Sequence, residues 1–297
     1  MSNLRILSEN FTKNLVKGIF SPILKRVKLD NDLDLQIREG YINIYFKGNS
    51  LLKLKENGAI DIHKKFKKNI PDFPTYLKNA TECNNFVKNL LPKIKENIIT
   101  TKASKDTLEI EYEQLLIRAN NYTEKVNAEY YIVDRQFAEK GQKRKNQMDL
   151  TGIFSNRNKR RASTLTVTPF IGEVKYSLNK DISDIDAQIK KYYEQIVNNS
   201  ALFFEQLEYL LHQKSKLGLF NVSDGLLKKF KTAKVDDRIE NLKIVIILID
   251  YNPNSKLFNQ KVKRNIFQLP FKKNILVFNA GFAMWEQNLK NISKFVE

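Results

Sequence analysis

Cysteine and histidine are almost absent from this sequence: one Cys (Cys83) and two His (His63 and His212) in 297 residues. A single thiol excludes an internal disulfide framework and any zinc or iron–sulfur site built from several cysteines of this chain. Two histidines in unrelated contexts argue against a His-based metal centre or a metalloprotease helix. No apolar run is long enough to cross a bilayer as a helix, and the N-terminal residues carry no signal-peptide pattern. The chain is therefore read as soluble and cytoplasmic, with no membrane partner. No Gly-x-x-x-x-Gly-Lys phosphate loop occurs, so an ATP-driven motor would have to be a separate subunit. Internal repeats and low-complexity segments are lacking too. Acidic residues are the last deficit: 33 Asp and Glu face 51 Lys and Arg, a net charge of +18. That excess favours a polyanionic partner, because each phosphate neutralised releases counterions. On charge alone, a lysine-rich solvated surface is the competing reading.

What is present suits one large folded domain or two modest ones, with 42% hydrophobic and 28% charged residues. Phe11, Leu15, Val16, Ile19, Ile23 and Leu24 recur at helical spacing after Ser8, an N-cap residue, and Pro22 is expected to kink or end that helix. Tyr41–Phe46 and 51–54 flank Gly48-Asn49 as a hairpin, with a further strand at 59–62 after Asn57-Gly58. A helix over 80–99 is expected to be interrupted by Pro92. The polar stretch at 100–105 separates a smaller α+β N-terminal region, residues 1–104, from residues 105–297.

Beyond that boundary the pattern predicts a helix over 108–122, with Leu108, Tyr112, Leu115, Leu116 and Ala119 on its apolar face. It then predicts strands at 130–133, 147–154 and 170–176, a helix over 181–198 and mainly helix over 200–232. The uninterrupted apolar run at 243–250 marks a central strand covered on both faces. Another strand at 274–278 and a helix over 283–296 follow.

Glu173 and Lys175 are two apart in a strand, so both side chains aim at one face. If the preceding strand pairs with theirs, Asp149 joins them. Two acids and a lysine around one point suffice for a magnesium site with a cationic partner.

The order helix, three strands, helix, strand, with Asp149 in the second strand, Glu173-Val174-Lys175 in the third and Gln188-x-x-x-Tyr192 on the next helix, resembles the PD-(D/E)XK nuclease superfamily. The Gln-x-x-x-Tyr spacing is similar to that of its RecB-type and lambda-exonuclease-type members. The likeness spans residues 107–200 by motif and reaches Phe278 by element order. It implies an α/β, restriction-endonuclease-like αβββαβ core with a mixed central sheet. It also implies Mg²⁺-dependent hydrolysis of DNA phosphodiester bonds, with Mn²⁺ as a substitute metal, in restriction, phage defence or DNA repair.

In that scheme Asp149, Glu173 and the carbonyl of Val174 hold the metal, Lys175 orients the attacking water, and Gln188 and Tyr192 stand behind them. Members of the superfamily also place an acid on the first helix after an aromatic residue. Tyr112-Glu113 matches, with Glu111 as the alternative. With so few cysteines the iron–sulfur branch of the superfamily is excluded. The basic segments around the two site strands, Lys143, Arg144 and Lys145 and then Arg157, Lys159, Arg160 and Arg161, are expected to contact nucleic-acid phosphates. A separate recognition or motor subunit is a further expected partner, and the hairpin at 41–54 is where it would dock. The competing functions are a non-catalytic nucleic-acid-binding protein on the same scaffold and an RNase.

Overall fold

The computed structural model describes residues 4–68, 70–101, 107–122, 128–137, 148–176, 180–250 and 256–280, a mixed α/β chain with two sheets. Ser8 caps α1 (Glu9–Val16), its hydroxyl accepting the Phe11 N–H at 2.9 Å. The single helix expected around Pro22 is two helices. Pro22 sits in the first turn of α2 (Ser21–Leu29), where its missing N–H has no intrahelical partner to lose and its fixed φ suits a helix start.

Strands β1 (Leu33–Arg38), β2 (Tyr41–Phe46), β3 (Asn49–Lys55) and β4 (Ile60–Asp61) form an antiparallel sheet in that order. Gly48 turns β2 into β3 at φ +72°, and a Cβ there would lie 2.6 Å from the Ile110 side chain. Pro92 again opens a helix: α3 (Ala80–Asn85) passes through a π turn at Phe86–Leu90 into α4 (Leu91–Thr100). The wider turn relieves the clash a proline ring makes with the carbonyl four residues back.

The larger sheet has the order β10-β9-β7-β6-β5. Strands β5 (Tyr130–Phe137), β6 (Met148–Phe154) and β7 (Thr166–Tyr176) are an antiparallel meander. Two-residue β8 (Lys234–Val235) pairs with the start of β7, while β9 (Lys243–Ile249) and β10 (Ile275–Ala280) run parallel to β7. Strand β9 is buried along its length after Lys243, as its apolar run predicts.

Helix α5 (Thr107–Asn121) lays Ile117 on one sheet face against Ile132, Leu150, Phe170 and Val174. Helices α6 (Ile185–Asn198) and α7 (Ser200–Leu217) supply Ile189, Tyr192, Phe204 and Leu211 to the core that includes Ile171, Ile244 and Ile246. That same core contains Phe11, Leu35 and Ile44, so the apolar interior is continuous from the N-terminal sheet to the larger one. The rest of the chain adds α8 (Asp224–Phe230) and α9 (Lys263–Gln268).

Residues 102–106, around the expected boundary, and the expected helix over 283–296 lie outside the described residues. Among the described residues no helix is long and apolar enough to cross a membrane.

The buried stripe of α5 differs from the expected one. Leu115 is 38% exposed, while Glu113, Gln114, Ile117 and Asn121 are buried. Each buried polar member has a partner, which removes the penalty for burying it. The Gln114 amide takes the Gly48 N–H at 2.7 Å and donates to the Asp32 carbonyl at 2.7 Å. The Asn121 amide takes the Ile132 N–H at 3.0 Å and donates to the Ile132 carbonyl at 2.7 Å.

Candidate active site

Strand pairing brings the three residues together. Leu150 stands opposite Gly172 across β6 and β7, which sets Asp149 beside Glu173 at the next position. The Val174 N–H donates to Asp149 Oδ2 at 2.8 Å and fixes that carboxylate against β7. Glu173 and Lys175, both buried, lie on one side of β7, with Lys175 Nζ 2.7 Å from Glu173 Oε1. A third acid reaches them from α5: Glu109 Oε1 is 3.7 Å from Lys175 Nζ. The ring of Tyr112 stacks on Tyr176, centroids 5.6 Å apart, tying α5 to the end of β7 beside these groups.

The electrostatics follow from three acids around one lysine. Burial, and then the neighbouring Glu173 charge, hold the Asp149 carboxyl well above the usual carboxylate range. Burial also raises Glu173, although Lys175 pulls it back. Burial alone would lower the Lys175 ammonium, yet Glu173, Glu109 and Asp149 outweigh it, so Lys175 stays protonated. Glu173 Oε2 is buried and has no hydrogen-bond partner among the described residues. No group of three or more His, Cys, Asp or Glu side chains is arranged among the described residues to hold a metal by side chains alone.

On α6, burial and the nearby Glu173 and Asp149 charges push the Tyr192 hydroxyl well above the usual phenol range, and it hydrogen-bonds Glu173. Gln188, one turn earlier on the same helix, has a buried Oε1 with no hydrogen-bond partner among the described residues.

The α5 acids divide. Glu113, buried, binds the fully buried Arg135 guanidinium at 2.9 Å, and burial first, with Asp149 and Glu109 adding, lifts its carboxyl to about 8 despite Arg135. Glu111 pairs with Lys47 at the surface, 3.4 Å away. Glu109, which sequence reasoning missed, is the α5 acid nearest Lys175. Its signal is the four-residue step 109–113–117, a single helical stripe that ends on the buried Ile117.

The basic segment that follows β6 is not gathered at this point. Lys143, Arg144 and Lys145, between β5 and β6, lie outside the described residues. Arg157, Lys159, Arg160 and Arg161 occupy a 3-10 turn after β6, at the end of that strand remote from Asp149. Adjacency in sequence had suggested proximity, but strands β6 and β7 both run the length of the sheet between the two places.

Comparison with family models, with curated proteins and with solved structures gives no match for this chain.

Proposed function

We propose that this chain is a metal-dependent nuclease of the PD-(D/E)XK type that hydrolyses DNA phosphodiester bonds. The observation that carries this reading is the buried Asp149–Glu173 pair on adjacent strands, with a protonated Lys175 2.7 Å from Glu173. The order helix, antiparallel three-strand meander, helix, parallel strand is the αβββαβ arrangement expected of a restriction-endonuclease-like core. Roles in restriction, phage defence or DNA repair are compatible with it.

The residues fit a divalent cation. Two carboxyls raised by burial, Asp149 further by the Glu173 charge, and one with an unpartnered oxygen, are a site short of positive charge. Asp149, Glu173 and the Val174 carbonyl would hold Mg²⁺, or Mn²⁺ in its place. The few side-chain ligands suit a hard ion that keeps several waters. Such an ion supplies Lewis acidity at the scissile phosphate and a water of lowered pKa.

The remaining work belongs to the chain. Lys175 offers a fixed positive charge where negative charge develops on the phosphate oxygens. Glu109 reaches Lys175 from α5. The Tyr192 hydroxyl orients Glu173, and the Gln188 amide presents an acceptor with no other use. Glu113 acts one step removed, positioned by Arg135.

Cleavage of linear and circular duplex, single-stranded DNA and RNA, with Mg²⁺ or with EDTA, tests the reading. Loss of cutting in EDTA, and a loss of about 10²-fold or more in Lys175→Ala and Asp149→Ala, are expected. Wild-type rates in either variant would remove these residues from the chemistry. Tight binding to DNA with no cleavage of any substrate would replace the enzyme with a binding module on the same scaffold.

A further inference from the structure

A second concentration of charge lies at the other end of the sheet. The 3-10 turn Arg157–Arg161 follows β6 directly and is built as a rigid platform. The Asn156 side chain accepts the Asn158 N–H at 2.9 Å. Arg160 turns inward: its Nη2 donates to the carbonyls of Ala128 at 2.5 Å and Ser155 at 2.9 Å, and its guanidinium lies over the Tyr131 ring. Lys229 of α8 donates to the carbonyls of Arg160 at 2.5 Å and Ala162 at 2.8 Å, joining α8 to the turn. With those two cations engaged inward, Arg157, Lys159, Arg161, Lys228 and Lys231 are all exposed on the joined surface.

Three of the acids at this end already have partners, while Asp224 in the first turn of α8 is exposed. Glu129 takes the Arg157 backbone N–H, Glu208 takes Lys234 and the Val235 N–H, and Asp236 takes Arg238 and Asn241. Lys159, Arg161, Lys228 and Lys231 make no ion pair among the described residues. From Asp149 to Phe154 is about 17 Å of strand, and from Lys175 back to Thr166 about 30 Å, at ~3.3 Å per residue.

We propose that this surface is a second binding face for nucleic-acid phosphates, remote from the carboxylates, which holds a different stretch of a long nucleic acid from the one at the acids. The inference rests on reading the partner as nucleic acid and is independent of whether the chain cuts it. Exposed lysines and arginines on a fixed platform bind phosphate without reading sequence, so the face confers affinity and reach. A duplex of about 8 base pairs, roughly 27 Å long at 3.4 Å per step, reaches only about 14 Å to either side when centred on the carboxylates, short of the turn.

The test compares the full chain with a Lys159→Ala/Arg161→Ala/Lys228→Ala/Lys231→Ala variant, keeping Arg160 and Lys229, with thermal melting to establish that it folds. Binding is read by anisotropy in EDTA on duplexes of about 60 and about 8 base pairs across a salt series. On the long duplex the variant should bind at least ~10-fold more weakly near 0.1 M salt, with a salt slope shallower by about 2 to 4. On a short duplex with the cleavage position at its centre, turnover with Mg²⁺ should be unchanged. Unaltered affinity and slope on the long duplex would overturn the proposal, and so would loss of turnover on the short one. Loss of polyglutamate binding with DNA binding intact would overturn it in favour of an acidic protein partner. Failure of the nuclease reading has its own signature: no cleavage by wild-type protein, with the difference on long DNA still present.

Discussion

Two groups of buried charges sit a few residues apart along β5, β6 and β7, and they are built on opposite principles. The first joins the N-terminal sheet to the larger one. Asp134 receives Arg38 at 2.7 Å and an ion pair from Arg5, and although burial acts to raise its carboxyl, the two guanidinium groups hold it below the usual range. Nearby, Lys214 donates to Gln36 at 2.8 Å, and the Gln36 amide donates to both Asp34 oxygens. Cations match or outnumber acids there. The second group, Asp149, Glu173 and Glu109 around Lys175, has too few cations, and the Asp149 and Glu173 carboxyls are raised. A charge network that serves stability satisfies its members. One left short of positive charge is poised for something the chain itself does not contain.

The comparison breaks most decisively at Asp134. Asp134→Ala leaves the largely buried Arg5 and Arg38 around a missing partner and should destabilise the fold by about 3–5 kcal/mol in urea denaturation. A loss under about 1 kcal/mol would mean that water already solvates that network. Next in size, millimolar Mg²⁺ should raise the melting temperature of the wild-type chain. The stabilisation is about 2–3 kcal/mol when the ion is at ~100 times its Kd, and it should be absent in Asp149→Asn. Equal shifts in both proteins would place the ion elsewhere.

Without metal, Asp149→Asn should leave stability unchanged or raise it by up to about 1 kcal/mol, since the amide oxygen still accepts the Val174 N–H and a disfavoured charge is gone. Cleavage should disappear in the same variant. A clear destabilisation would show that the two groups are not opposites.

The smallest effect is in pH. Burial lowers the Lys214 ammonium to about 8 from its ordinary 10.5, although Asp34 and Asp134 act to raise it. Below pH 8 folded and unfolded chains both hold that proton. Between about 8 and 10.5 the folded state releases it first, so this group's contribution to stability rises with pH through that window. Lys214→Met should remove that rise, a difference in slope of at most about 1.4 kcal/mol per pH unit. Parallel stability curves for the two proteins would show that Lys214 does not titrate there.

Much of this was readable before any coordinates. Glu173, Lys175 and Asp149 were legible because a strand has period two and adjacent strands share a register, so parity alone groups side chains. Strand β9 announced itself by an unbroken apolar run. Helix α5 misled because its most apolar stripe is not its buried one. Gln114 and Asn121 are buried to bond backbone of β2 and β5, and hydropathy does not register a polar group whose partner is far away in sequence. Glu109 was lost for the same reason: three acids alternate at 109, 111 and 113, and only the seating of Ile117 tells which two face the sheet. The turn at Arg157–Arg161 was misplaced because proximity in sequence was taken for proximity in space, and an extended strand is the element that carries a chain farthest per residue.

Arg5 pairs with Asp134, and its backbone N–H and carbonyl both bond the side chain of Gln206 on α7. Those contacts close loops of 129 and 201 residues. During synthesis Arg5 therefore waits for its partners until α7 has left the ribosome. Loop closure over such separations slows folding, and the segment around Arg5 becomes the latch that completes it.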